Sequence, residues 1–219
     1  MFVARRMRKN TVTVVPSASL YEAQECMRRQ NIRQIPVTSG DGRLLGILAD
    51  RDIRAAVLPA GLVPGFSLEE AERFLKTTPV EKVMTRKVIT ATLTDSLEDA
   101  IVLLHDFRVN ALPVVDADGR VAGIISRTDV LQAFIETLGV DEVSSRLEVV
   151  VPDRPGELAR LISIISSFHV NITSVLTTGH AEGGKRANFV RIATLNIVPI
   201  KKAIVEAGFE IIDPSRFAL

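Results

Sequence analysis

Residues 7–57 recur as residues 84–134 at a constant offset of 77 positions without a gap, so residues 7–134 hold two copies of one unit. The offset pairs Thr13 with Thr90, Ser19-Leu20 with Ser96-Leu97, Ala23 with Ala100, and Pro36-Val37 with Pro113-Val114. It also pairs Asp41-Gly42-Arg43 with Asp118-Gly119-Arg120, Gly46-Ile47 with Gly123-Ile124, and Asp52 with Asp129. A unit of roughly fifty residues encloses too little interior to be stable alone. Stacking the copies on each other supplies the missing core, and a pseudo-two-fold axis between them is the expected arrangement.

Within each copy, Val12–Val15 and Val88–Ala91 read as short strands. Ser17 or Ser19, and Asp95 or Ser96, are caps that open an amphipathic helix. A hairpin follows, clearest in the second copy: Leu112–Val115, the turn Asp116-Ala117-Asp118-Gly119, then Val121–Ile125. A last helix begins near Asp52 or Asp129. Between the copies, Pro59, Gly61, Pro64 and Gly65 mark a loop, and Ser67-Leu68-Glu69-Glu70 opens a helix through Leu75 with a capping box. That insertion reads as a linker helix packed on the pair, or as a lid or partner surface. The expected boundaries are residues 1–60 for the first repeat, 61–79 for the insertion, 80–139 for the second repeat and 140–145 for a linker. A C-terminal domain takes residues 146–219.

The stretch Gly123-Ile124-Ile125-Ser126-Arg127-Thr128-Asp129 is the one most suited to chemistry. Val121–Ile125 is a buried strand, whereas Val130, Leu131, Phe134, Ile135 and Leu138 recur at helical spacing, so the period changes at Ser126. Two readings stand side by side. Ser126 is the helix N-cap and Asp129 its partner in an S-x-x-D capping box. Alternatively, the free N–H groups and positive dipole end hold a phosphate, Ser126 adds a hydroxyl, and Asp129 accepts from a ribose diol. The first copy repeats the pattern as Gly46-Ile47-Leu48-Ala49-Asp50-Arg51-Asp52, with Ala49 where the hydroxyl would be. Arg51 and Arg54 either compensate by pairing with phosphate or lie on a solvated face.

After Leu138-Gly139 the character of the chain changes. Leu147–Val151, Val170–Thr177, Ala187–Leu195 and Phe209–Ile212 read as strands. Helices start at Pro155-Gly156-Glu157-Leu158, with Leu161, Ile162, Ile165 and Phe168 apolar, and span Pro199–Ala207. The order βαββαβ is a split βαβ arrangement with helices on one face of an antiparallel sheet, an α+β class overall. Gly179–Arg186 is expected as a hairpin turn, with Gly183-Gly184 and Lys185-Arg186 as turn residues.

Composition narrows the function. With 27 basic and 26 acidic residues the net charge is +1, which offers no basic stripe to nucleic acid and no field to an anionic membrane. No signal peptide or apolar span is apparent, so a cytoplasmic protein is expected. The lone Cys26 falls on the apolar face of the first helix and reads as a small core residue. His105, His169 and His180 lack partners at metal-ligand spacing, and no nucleophile–base pair stands out, so neither a metal nor catalysis is expected.

The doubled motif, with Pro-Val before each hairpin and Gly-x-x-Ser-x-x-Asp after the second, resembles the cystathionine β-synthase (CBS) domain pair over about residues 1–139. The resemblance implies an adenosine-containing ligand, AMP, ADP, ATP or S-adenosylmethionine, between the copies. Carried over, Asp129 and Asp52 would hold ribose hydroxyls and Ser126, with Arg127 and Thr128 beside it, would meet phosphate. Backbone at Val88-Ile89 and Leu112-Pro113 would frame the adenine in one cleft; Thr11-Val12 and Ile35-Pro36, with Arg51 nearby, correspond in the other. The βαββαβ order with Asp153-Arg154-Pro155-Gly156-Glu157-Leu158 and Val170-Asn171-Ile172 resembles the ACT domain, which implies pairing through sheets. An amino acid or similar metabolite would then sit near Asp153, Arg154, Gly156 and Asn171. Chains that join the two resemble acetoin-utilisation regulatory proteins. The implied function is a non-catalytic sensor, working as a homodimer on a regulated protein target. The alternatives are a dimerisation scaffold without nucleotide and an enzyme acting on an adenine nucleotide.

Overall fold

A computed structural model describes residues 1–61, 67–180 and 182–213, and the chain divides into two compact units, Met1–Leu131 and Gln132–Leu219. In the first unit the repeat offset reappears as paired contacts. The first copy holds α1 (Leu20–Arg29), β1 (Gln34–Thr38), β2 (Leu44–Ala49) and α2 (Asp50–Gly61). After α3 (Leu68–Thr77), the second holds β3 (Ala91–Thr92), α4 (Leu97–Asp106), β4 (Ala111–Val115), β5 (Val121–Ser126) and the start of α5 (Arg127–Thr137). Phe2 bridges Ser96 and Pro79 bridges Ser19; Arg8 bridges Ile124 and Thr85 bridges Ile47; Arg43 bridges Arg120. Each of the first four is the 77-residue image of its mate and the fifth is its own image, which is what a pseudo-two-fold axis through the hairpin tips requires. Across that axis Leu44 N–H donates to Gly119 O and Val121 N–H to Gly42 O, both at 3.0 Å.

The symmetry has a consequence for the core. The segment leading into each copy packs on the other copy: Val80 and Met84 lie among Leu20, Ala23, Met27, Ile35, Val37, Leu48 and Ile53 of the first, and Cys26 packs against the same cluster. The crossing strand passes over a glycine. A Cβ on Gly46 would lie 2.6 Å from Met84 Sδ, and one on Gly123 would lie 2.6 Å from the Arg8 carbonyl oxygen, so a side chain at either position would force its neighbour to shift.

Helix starts follow the sequence closely. Ser19, Ser67 and Ser96 are N-caps with complete capping boxes, to Glu22, Glu70 and Asp99. Ser19 N–H, aided by its hydroxyl, holds the Glu22 carboxyl below its ordinary pKa, and the Ser96 hydroxyl with its N–H does the same for Asp99. Such lowered carboxyls stabilise the fold above their unfolded pKa and lose that contribution as pH falls through the folded value, so acid loosens both helix starts. Ser96→Ala should cost about 1 kcal/mol, read as a lower urea midpoint at unchanged slope; an unmoved midpoint would mean water replaces the cap at no loss.

The expected first strands shrink to a single parallel bridge, Val14 to Val37, and to Ala91–Thr92. Val14 N–H donates to Pro36 O and Thr38 N–H to Val14 O. The next ladder bond would need an N–H from Pro36, which has none, so pairing cannot reach back to Val12; Pro113 stops the second copy at Ala91 for the same reason. The loop expected at Pro59 and Gly61 is also corrected. Helix α2 continues to Gly61, since a proline near the last turn forfeits one bond without unwinding the rest. Pro64 and Gly65 lie outside the described residues, and α3 runs two residues beyond the expected Leu75.

The second unit holds β6 (Ser145–Pro152), α6 (Glu157–Ser166), β7 (Ile172–Gly179), β8 (Lys185–Ile192), α7 (Val198–Glu206) and β9 (Glu210–Ile211), in the sheet order β7-β8-β6-β9. All pairings are antiparallel. Alternate residues Leu147, Val149 and Val151 of β6 and Val190 and Ile192 of β8 pack with Leu161, Ile165, Ile200, Ile204 and Phe209, which puts both helices on one sheet face. This is the expected βαββαβ order. The hairpin turn is tighter than expected, because β7 extends through Gly179 and β8 begins at Lys185.

Candidate functional site

Strand β5 ends at Ser126, which pairs with Ala111, and the chain turns directly into α5. Asp129, in the first turn, folds back onto the strand end. Ser126 N–H donates to Asp129 Oδ2 at 2.9 Å, the Ser126 hydroxyl donates to the same oxygen, and Asp129 N–H donates to Ser126 Oγ at 3.2 Å. This is the reciprocal capping box anticipated as one of the two readings. The other carboxylate oxygen, Oδ1, accepts from Arg8 Nε at 3.0 Å. The Asp129 side chain is only 13% exposed against 57% for Arg8, so a part-buried acid faces a base that solvent reaches.

The first copy repeats the geometry with fewer bonds. Ala49 N–H donates to Asp52 Oδ2 at 2.9 Å, and Arg51 Nε lies 3.7 Å from Oδ1. Arg54 pairs with Asp50, so its charge is engaged on the helix surface. The position equivalent to Arg8 is Thr85, so Asp52 has no counterpart of the Arg8 guanidinium.

The expected framing residues gather at the same strand ends. Leu112 and Pro113, and Ile35 and Pro36, are buried in β4 and β1, while Val88, Ile89, Thr11 and Val12 are half-buried on the segments beside them. Pro113 has no N–H for the Ile89 carbonyl, nor Pro36 for that of Val12. Thr11 donates its hydroxyl to Arg8 O at 3.0 Å, on the segment that bridges Ile124 of the second copy. Thr11 thus lies just past the crossing at the Asp129 turn, rather than belonging to the Asp52 turn alone.

Two expected contributors follow Ser126 on α5. Thr128 is exposed. The Arg127 side chain donates to Val109 O at 2.9 Å and Leu104 O at 3.0 Å, closing carbonyls at the end of α4. Position 50 is the counterpart of 127, and there an aspartate leaves a cavity of about 390 Å³ lined by Met27, Arg28, Asn31, Ile32, Arg33 and Asp50 among others. Arg127 thus clasps carbonyls at and just past the end of α4.

In the second unit the expected site residues do not come together. Asp153 follows β6 at the end where Pro152 pairs with Lys185, whereas Asn171 precedes β7 at the end where Ile172 pairs with Ile192, which in turn pairs with Ser145. Seven residue steps separate these ends, about 23 Å along a strand, because α6 carries the chain back along the sheet. Asp153 Oδ1 accepts from Arg186 Nε at 2.9 Å, and the N-cap of α6 is Gly156, at φ +91°. Arg154 reaches Glu157 only at 4.0 Å. Among the described residues no group of three or more His, Cys, Asp and Glu could hold a metal ion, and no helix is long and apolar enough to cross a membrane.

Arg8 was absent from the expected site. The available signal was the alignment of Met7-Arg8 with Met84-Thr85 opposite paired glycines, but the alignment does not say that each leading segment crosses to the other copy.

The CBS domain family model matches residues 3–59 and 80–136, and the ACT domain model matches residues 145–205. Homoserine O-acetyltransferase of Methanococcus vannielii is 29% identical over 124 residues, 57% of this chain and 23% of that protein. Inosine-5′-monophosphate dehydrogenase of Methanocaldococcus jannaschii is 29% identical over 159 residues, 73% of this chain and 29% of that protein. The chain thus spans less than a third of these curated relatives. Among solved structures, the CBS domain pair of protein MJ0100, in complex with 5′-methylthioadenosine and S-adenosyl-L-methionine, aligns at a TM-score of 0.51 and 25% identity, covering 61% of this chain and 95% of that one. CBSX2 in complex with AMP aligns at 0.51 and 29% identity, covering 62% and 96%. The Vibrio cholerae protein AcuB, whose name assigns it to acetoin utilization, shares the fold at 0.53 and 24% identity, covering 64% and 95%. The chain belongs to the CBS-domain family, and it joins two CBS domains in tandem to a C-terminal ACT domain.

Proposed function

We propose that the chain is a non-catalytic regulatory sensor that binds an adenosine-containing ligand, AMP, ADP, ATP or S-adenosylmethionine, in the cleft at Ser126 and Asp129. The observation that carries this is the strand-to-helix turn itself, where the Ser126 hydroxyl and N–H and a part-buried carboxylate converge at the N-terminus of α5. A phosphate suits the helix N-terminus, and a ribose diol suits the carboxylate. The Ile89 carbonyl, left by Pro113 without a ladder partner, is an acceptor for an adenine amino group. Solved relatives with AMP, or with 5′-methylthioadenosine and S-adenosyl-L-methionine, support the ligand class. CBS and ACT domains are regulatory domains, which supports sensing over turnover. The Asp52 cleft is the weaker of the two, because Ala49 removes a hydroxyl donor of about 0.5–1.5 kcal/mol. In the ACT domain an amino acid or similar metabolite would bridge Asp153 of one copy and Asn171 of another, since one chain holds them at opposite sheet ends; a homodimer acting on a protein target is the working unit.

One observation favours a second reading, an assembly scaffold: both oxygens of Asp129 already have protein partners. Calorimetric titration with AMP, ATP and S-adenosylmethionine separates the two. Asp129→Asn keeps an acceptor for Ser126 N–H but loses the charge, and it should weaken binding at least about tenfold, as expected for a lost charge-assisted bond. Unchanged affinity would remove the assignment, and no heat with any of the three ligands would favour the scaffold.

A further inference from the structure

We infer that Arg8 makes the Asp129 cleft prefer a phosphorylated adenosine ligand over an uncharged one. The inference rests on the nucleotide reading above and adds the residue that sets its selectivity.

Arg8 is placed by backbone, not by chance of a long side chain. Its N–H donates to Ile124 O at 2.9 Å and its carbonyl accepts from Ile124 N–H at 3.1 Å, directly over Gly123. From that anchor the guanidinium reaches Asp129 Oδ1 at 3.0 Å. Oδ2 is meanwhile taken by the N–H and hydroxyl of Ser126, so Oδ1 is the oxygen a diol would have to use. A ribose docking there must share Oδ1 with Arg8 or displace it.

The two ligand types differ in what they offer the displaced guanidinium. An uncharged nucleoside gives it nothing in exchange for Asp129. A nucleotide brings a phosphate to the N-terminus of α5, one turn from Asp129, and the half-exposed guanidinium can swing onto it as a charge-assisted pair. The pair broken with Asp129 is thereby replaced by one with the ligand, and the penalty falls on the uncharged ligand alone. The pseudo-two-fold image of Arg8 is Thr85, bridged to Ile47, so this selectivity belongs to the Asp129 cleft and not to the Asp52 cleft.

The test compares AMP with adenosine on the full chain, by calorimetry, for the wild type, Arg8→Gln and Arg8→Lys. Arg8→Gln keeps the backbone bridge and most of the stem. It should weaken AMP about tenfold while adenosine binds as well as before or better, and Arg8→Lys should restore part of the preference through its charge. If Arg8→Gln weakens both ligands in parallel, or leaves the AMP-to-adenosine ratio unchanged, Arg8 is only a brace and the inference falls while the nucleotide reading stands. If the wild type binds neither AMP nor adenosine, the inference falls, and the nucleotide reading falls with it only when ATP and S-adenosylmethionine also give no heat.

Discussion

Gly123→Ala is expected to destabilise the first unit by about 3 kcal/mol, and its partner Gly46→Ala by only about 1 kcal/mol, although the two glycines are images of each other. The difference lies in what the new methyl meets. At Gly46 the nearest atom, at 2.6 Å, is Sδ of Met84 on a flexible side chain that can shift, and the bridged Thr85 carbonyl oxygen stands further off at 3.1 Å. At Gly123 it is the carbonyl oxygen of Arg8, also at 2.6 Å, with Met7 Sδ at 2.8 Å. That carbonyl is held in a two-way backbone bridge to Ile124, so it cannot retreat without breaking both bonds and moving Arg8 off Asp129. For a chain of this size the Gly123 change should lower Tm by about 6–12 °C, measured by calorimetry beside Gly46→Ala. Equal shifts for the two variants would show that the crossing is looser than the backbone bonding implies.

The same pair of glycines marks how far sequence could reach. A repeat at fixed offset, together with serines three residues ahead of an acid, was enough to place the helices, the hairpins and the axis between copies, because those depend on local pattern and on symmetry. It was not enough to say that Met1–Arg8 packs on the second copy and Val80–Thr85 on the first. Such an exchange leaves composition and periodicity unchanged; the bridges of Arg8 to Ile124 and Thr85 to Ile47, and the buried Val80 and Met84 among first-copy side chains, disclose it. Proline chemistry was legible yet unused: Pro36 and Pro113 lack the N–H that the longer strands would have needed.

The site divides along the same line. Ser126 and Asp129 were legible because a strand-to-helix turn is a local event, and both of their proposed roles use the same atoms. Arg127 was grouped with them by adjacency, but one step along a helix rotates a side chain by about 100°, which here turns it to the carbonyls of Leu104 and Val109. Asp153 and Asn171 share a site only by resemblance, and their separation is a matter of topology: a helix that returns along a sheet delivers its two ends to opposite ends of the strands.

Leu161→Ala should cost the second unit about 2–5 kcal/mol. Leu161 has no exposed surface and sits among Leu147, Val149, Val190 and Ile204 where both helices meet the sheet. The loss combines the transfer of the missing carbons with a cavity that the rigid β6–β8 ladder cannot close, since eight consecutive residue pairs hold those strands in register. Leu158, three residues earlier on the same helix, is 39% exposed, so Leu158→Ala should cost less than about 1 kcal/mol. Sequence periodicity offered Leu161, Ile162, Ile165 and Phe168 as equals; in the fold Leu161 and Ile165 are buried and Phe168 is 36% exposed. Amide hydrogen exchange in β6 and β8 checks the ranking, because lost global stability accelerates exchange at the slowest core amides. Comparable protection in the two leucine variants would mean that α6 packs on the sheet by a different face.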